Sequence, residues 1–281
     1  MIKLLFVVVL VAAFAIADDD GCFSTEGCIN PQNSGSDAVT LTLLNDWPLA
    51  EKALGLDVFV NGSTVYILGA DNVLDIVQAY DVTGAPAGVM TLDPANDSCF
   101  GVAWNDDPTD DTYYTNDWSD NVLYYTDNFG SSWTTVPNPA GSNSRGMDFD
   151  GTDYWCTNGG GGGLWRFQPG TGQENIAVPE VAGNPSGLTV FPSGGNIGVA
   201  VASYSSNYIY FYEWNGSTMT FLGSASCPAT CASSFGLGYS SVSNTIYWAF
   251  KDSSNVYHLG EFSFTITALE RSSWGSIKTS F

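Results

Sequence analysis

Asp71-Asn72-Val73-Leu74 and Asp120-Asn121-Val122-Leu123 are one tetrapeptide met twice, and what surrounds it recurs along the chain. The second copy belongs to the turn Ser119-Asp120-Asn121, which is echoed by Ser205-Ser206-Asn207 and Ser253-Ser254-Asn255. Each of these three turns places its asparagine 19 or 20 residues after a glycine that opens an apolar run, at Gly101, Gly187 and Gly236. Gly146 falls into the same series, with spacings of 45, 41 and 49 residues, and an earlier copy begins near Gly55. Between glycine and turn lies an aromatic or β-branched stretch: Tyr113 to Thr115, Tyr154 to Thr157, Ile197 to Ala202 and Thr245 to Phe250. Asn, Asp and Ser suit tight turns because their short side chains bond the local backbone, whereas β-branched and aromatic residues fit a pleated surface.

Short strands, small polar turns and no stripe at helical spacing predict an all-β chain. A period of about 40 to 50 residues that holds four strands predicts a β-propeller with five blades of four antiparallel strands. The last copy, from Val256 to Thr267, shows no clear turn into a fourth strand. Val39 to Leu44 is expected to supply it, closing the ring from the N-terminal side and covering a sheet edge that would otherwise invite association. The expected organisation is a signal peptide at 1–17, a cysteine-containing segment at 18–37, the propeller at 38–267 and a tail at 268–281.

One turn carries a family resemblance. Thr126-Asp127-Asn128-Phe129-Gly130-Ser131-Ser132-Trp133 resembles an Asp-box, the hairpin turn of sialidase-type and related bacterial propellers, with Asn128 where that family usually has Asp. An Asn side chain can still bond the turn backbone, Gly130 accepts a positive φ and Trp133 is expected to pack beneath. The resemblance covers eight residues, between the third and fourth strands of its repeat. It implies fold rather than activity, because Asp-boxes in that family are chiefly structural.

The chain opens with Lys3, an apolar run from Leu4 to Phe14, and Ala15-Ile16-Ala17. That is the pattern of a secretory signal cleaved after Ala17, and the run is short for a membrane span. A secreted, extracellular or cell-surface location is expected. The 29 acidic against 7 basic residues give a formal charge of −22, which argues against nucleic acid and anionic lipid as partners and suits cations such as Ca²⁺. In an exported chain the six cysteines favour disulfides. Six cysteines allow 15 pairings, among which the sequence does not choose; short local loops suggest Cys22 with Cys28 and Cys227 with Cys231, leaving Cys99 for Cys156. One histidine and no C-x-x-C pair argue against zinc.

Sialidase-like chemistry needs converging arginines, yet Arg271 lies in the tail while Arg145 and Arg166 share one repeat. His258 falls in a third strand, Val256-Tyr257-His258-Leu259, with no nucleophile motif near it, and reads as a structural sheet residue. Gly159 to Gly163 lacks the following Lys-Ser or Lys-Thr of a phosphate loop and reads as a blade turn. Asp106, Asp107, Asp110 and Asp111 crowd one loop, where repulsion would be relieved either by Ca²⁺ or by solvent. Asp150-Gly151 fits the hairpin between first and second strands better than a calcium loop.

In a propeller the turns joining second to third strands open on one face. That face is expected to display Asp71, Asp117, Trp118, Asp120, Arg145, Tyr204 and Asp252, a mixture suited to a sugar, a peptide or a neighbouring protein. The tail adds Arg271, Trp274, Lys278 and Phe281, a basic and aromatic strip complementary to an acidic body and a candidate docking segment. The expected function is a non-catalytic extracellular structural or interaction protein that binds itself or a partner. A glycan-binding module, or a metal-dependent glycan hydrolase or lactonase using the channel, is the alternative.

Overall fold

Among the described residues, twenty strands form five antiparallel sheets of four, and the glycine series of the sequence supplies the strand nearest the axis in each. The computed structural model describes residues 38–105, 112–160, 163–170, 172–181, 183–227 and 229–267. The first strand, β1 (Ala38–Leu49), is set apart from the first sheet, which holds β2 (Leu56–Asn61), β3 (Thr64–Asp71), β4 (Ile76–Asp81) and β5 (Pro86–Thr91). The second holds β6 (Cys99–Trp104), β7 (Tyr113–Asp117), β8 (Val122–Thr126) and β9 (Thr134–Pro137). The third holds β10 (Ser144–Phe149), β11 (Tyr154–Asn158), β12 (Gly163–Phe167) and β13 (Gln173–Ile176). The fourth holds β14 (Pro185–Ser193), β15 (Asn196–Ser203), β16 (Tyr208–Trp214) and β17 (Met219–Ser226). The fifth combines β18 (Ser233–Ser240), β19 (Thr245–Lys251) and β20 (Tyr257–Thr267) with β1, which pairs antiparallel with β20 from Ala38↔Thr267 to Leu49↔Tyr257.

The inner strands β2, β6, β10, β14 and β18 each pack against the next, and β18 packs against β2, so the sheets form a closed five-bladed propeller. Gly55, Gly101, Gly146, Gly187 and Gly236 sit where neighbouring inner strands come closest. A Cβ on each would overlap backbone of the next blade: Gly55 meets Phe100, Gly101 meets Arg145, Gly146 meets Ser186, Gly187 meets Phe235, and Gly236 meets Gly55 and Leu56. Glycine recurs with the blade period because only a residue without a side chain lets strand backbones approach so closely. The ring of glycines is the neck of the propeller.

The residue after each glycine, Leu56, Val102, Met147, Leu188 or Leu237, is fully or almost fully buried, and each joins an apolar cluster. Burial of one such side chain contributes roughly 1.5–3 kcal/mol, and the blade period repeats the contribution five times around the ring. In four inner strands the ladder slips at the same place, across Phe100–Gly101, Arg145–Gly146, Ser186–Gly187 and Phe235–Gly236. Such a bulge re-aims the residue before the glycine.

The turns behave as their residues predict. The Asp-Asn and Ser-Asn turns join second to third strands in four blades, and Gly159–Gly160 begins the equivalent turn of the third. In the turn between β8 and β9, Asn128 Oδ1 accepts from the Ser132 amide at 2.9 Å, Gly130 has φ +78°, and the Trp133 indole donates to the Thr91 carbonyl at 3.1 Å. Asp150-Gly151 forms the first hairpin turn of its blade.

Candidate functional site

The glycine neck divides the axis into two mouths with different chemistry. At the end where the inner strands start, the links between blades and the turns between second and third strands gather. The expected face residues lie there, but they do not form a row of available carboxylates. Asp71 and Asp117 are 0% and 1% exposed, which corrects the expectation that the face displays them. Asp71 accepts from the Lys52, Val73 and Leu74 amides, and Asp117 from the Ser98 and Ser119 amides and the Ser119 hydroxyl. Asp120 accepts from the Val122 amide and the Tyr124 hydroxyl, and Asp252 from the Ser254 and Val256 amides. These are Asx turns: each carboxylate is consumed by the backbone that it bends.

His258 is equally occupied. Its ring stacks on Phe250 with centroids 5.0 Å apart and a 3° interplanar angle, and Nδ1 lies 2.8 Å from Asp46 Oδ1. Asp252 Oδ2 stands 3.6 Å from Nε2.

Beside exposed acids such as Glu51, Asp75 and Asp97, the face presents aromatic and cationic groups. Trp118 and Tyr204 are exposed in the turns of the second and fourth blades. Arg145, on the bulge of β10, has its guanidinium 5.5 Å from the ring centroids of both Phe100 and Tyr204. Tyr204 in turn lies 5.7 Å from Phe235, and Phe235 5.9 Å from Tyr257, which extends an aromatic arc around the mouth. Arg166 faces the other way, pairing with Asp150 and Asp153 of its own hairpin, so the two arginines do not converge.

At the opposite mouth is a cavity of about 640 Å³, lined in part by Asp57, Trp104, Asp148, Asn196 and Tyr239. Asp57 and Asp148 both stand two residues after their blade's glycine and both are buried. Asp57 accepts from the Trp104 amide of the next blade, and Asp148 from the Val190 amide and the Thr189 hydroxyl of the next. Burial pushes the Asp148 carboxyl up to about 6 against these hydrogen bonds. The sequence reading missed this pair as a site. The aligned positions carry Asp57, Ala103, Asp148, Thr189 and Gly238, so no repeated letter marks them, although alignment on the glycines would have brought the two aspartates together.

Cys99 and Cys156 are buried free thiols in separate clusters, and the bridge expected between them is not formed. Cys99 contacts the Gly101 carbonyl, and Cys156 contacts the Thr157 carbonyl and the Asn116 amide nitrogen. Cys227 and Cys231 are also free, with their thiols hydrogen-bonded to each other. Cys22, Cys28, the signal segment 1–17, the acidic loop residues Asp106, Asp107, Asp110 and Asp111, and the tail residues Arg271, Trp274, Lys278 and Phe281 lie outside the described residues. Among the described residues, no group of three or more His, Cys, Asp or Glu side chains is placed to hold a metal ion, and no helix is long and apolar enough to cross a membrane.

No family model and no curated protein matches the chain. Among solved structures it is similar to the glutaminyl cyclase of Myxococcus xanthus, with 14% identity and a TM-score of 0.55 over 81% of this chain and 97% of that one. It is also similar to a chain of a nidogen–laminin complex, with 14% identity and a TM-score of 0.52 over 78% of this chain and 86% of that one. A gluconolactonase-like protein matches with 12% identity and a TM-score of 0.51 over 80% and 94%. At these identities the likeness is one of fold.

Proposed function

We propose that this protein is an exported, non-catalytic binding protein that engages a partner, a glycan or a second copy of itself through the mouth where the inner strands start. One observation carries the reading: Asp71, Asp117, Asp120 and Asp252 of that mouth are hydrogen-bonded into turns and its histidine to Asp46, while Arg145, Trp118 and Tyr204 stand beside them to meet a ligand. Rigid aromatic side chains on short turns offer contact area at small entropic cost. The fold is compatible with either role, since its structural neighbours include an enzyme, glutaminyl cyclase, and a protein assembly, nidogen with laminin. Export, self-association through the 268–281 tail and a calcium ion at Asp106, Asp107, Asp110 and Asp111 belong to the same proposal. The test is a glycan and extracellular-protein binding screen with the full mature chain. Ligands lost on Trp118→Ala or Tyr204→Ala support the reading, and ligands indifferent to both overturn it.

A second reading, hydrolase or lactonase, is favoured by the opposite mouth. There Asp148 lies on a cavity of small-ligand size with a carboxyl raised to about 6, the range that suits a general acid or base. Turnover of a glycan or lactone that is abolished by Asp148→Asn would move the function to that mouth.

A further inference from the structure

Arg145 is an oddity in a chain of formal charge −22. Arg166 has two aspartates, yet among the described residues Arg145 makes no ion pair. It is half-buried, and its Nη1 is fully buried with no hydrogen-bond partner among the described residues. Acceptors are plentiful on this protein, but around Arg145 stand instead the rings of Phe100 and Tyr204. A guanidinium taken from water without a counter-charge or a full set of acceptors is costly, and cation–π contact offsets only part of that cost.

The room for it is built into the fold. The residue that follows the second strand is Trp118 in the second blade and Tyr204 in the fourth, but Gly159 in the third. A Cβ on Gly159 would overlap Cζ and Nε of Arg145, so the guanidinium lies where a side chain of the third blade would otherwise be. The bulge at Arg145–Gly146 aims it there, and Asn116 holds the strand from behind by donating to the Arg145 carbonyl at 2.6 Å. Gly159, the start of the five-glycine run, is thus a seat for Arg145.

We propose that Arg145, itself packed between Phe100 and Tyr204 at the strand-start mouth, receives a carboxylate beside the exposed Tyr204 ring, and that the ligand is a small monoanionic acid with a flat or apolar face. This rests on the reading of that mouth as the binding face. The guanidinium fork matches a planar carboxylate in two parallel hydrogen bonds, made on the edge of the half-buried side chain that solvent reaches. The exposed ring of Tyr204 accepts the body of the ligand. A monoanion is preferred because the acidic protein repels each additional negative charge.

The acid has two possible bodies, an aromatic ring or a sugar ring, and the experiment separates them. The full mature protein is titrated calorimetrically with benzoate and its neutral analogue benzamide, and with galacturonate and neutral galactose. At least one acid should bind about tenfold more tightly than its neutral analogue, Arg145→Gln should erase that preference, and Arg145→Lys should weaken it. Wild-type arginine Nε–H resonances, followed by NMR, keep the test independent of variant folding: the acid that binds should shift one of them, and its neutral analogue should not. Acids that do not bind, or a preference that survives Arg145→Gln, overturn the proposal. If neutral and acidic analogues bind alike and Tyr204→Ala removes both, the binding face stands and only its carboxylate specificity falls.

Discussion

The Thr189 hydroxyl donates to Asp148 Oδ2 at 2.7 Å, so a buried carboxylate of the third blade is held by the inner strand of the fourth. Inner strands of neighbouring blades belong to different sheets, and this strap, like that from Asp57 to the Trp104 amide, ties one to the next. Thr189→Val keeps the volume and removes the donor. It should cost about 2 kcal/mol at neutral pH, read by chemical denaturation, and raise the Asp148 carboxyl further, read by carboxyl-carbon NMR.

Asp148 also sets a pH dependence. Its folded pKa of about 6 lies above the ordinary carboxylate value of 3.8, so between these limits the native state holds a proton that the unfolded chain has lost. Its contribution is therefore present at low pH and lost as pH rises through about 6. Measured against the non-titrating Asp148→Asn, the wild type should lose up to about 3 kcal/mol of relative stability between pH 4 and pH 7. A relative gain over that interval would contradict the burial of a raised carboxyl.

The glycine neck predicts a contrast between two alanine substitutions. At Gly187 a Cβ would overlap the Phe235 carbonyl in the next blade, and backbone cannot rotate aside, so Gly187→Ala should cost about 3 kcal/mol or more or prevent folding. At Gly88, on the exposed strand β5, nothing lies within 4 Å, and Gly88→Ala should change stability by under about 1 kcal/mol. Thermal melts of the two variants give the comparison.

The four described cysteines should react in two classes. Cys227 is favoured as thiolate by the hydrogen bond from Cys231, whereas burial pushes Cys99 up and Cys156 up to about 12. Mild oxidation should join Cys227 to Cys231 and leave Cys99 and Cys156 as thiols, as read by non-reducing peptide mapping. Early alkylation of Cys99 or Cys156 in folded protein would contradict their burial.

Export predicts that secreted protein begins at Asp18. Intact mass spectrometry should show the loss of residues 1–17, and retention of Lys3 in the secreted chain would refute it.

A chain ending at Leu269 tests the tail. If Arg271, Trp274, Lys278 and Phe281 dock on an acidic neighbour, light scattering should show salt-sensitive association of the full chain that the shortened one lacks. Identical monomers in low and high salt would remove the tail from the proposal.

The blade plan was legible because its causes are local and recur. Gly55, Gly101, Gly146, Gly187 and Gly236 mark the close approach of strand backbones, and the Asp-Asn and Ser-Asn turns mark reversals, so period and residue type together specified five blades. What each polar residue does was decided by the fold. Asp71 and Asp117 have the letters of an exposed acidic face but are buried against their own turns, since a short carboxylate beside a reversal meets amides before it meets solvent. Asp57 and Asp148 come to one cavity, and Arg145 between Phe100 and Tyr204, only because ring closure brings together residues about one blade period or more apart. Strand periodicity specifies which way a residue faces within its sheet; which blade it meets across the neck depends on closure of all five, and no local run of sequence carries that information.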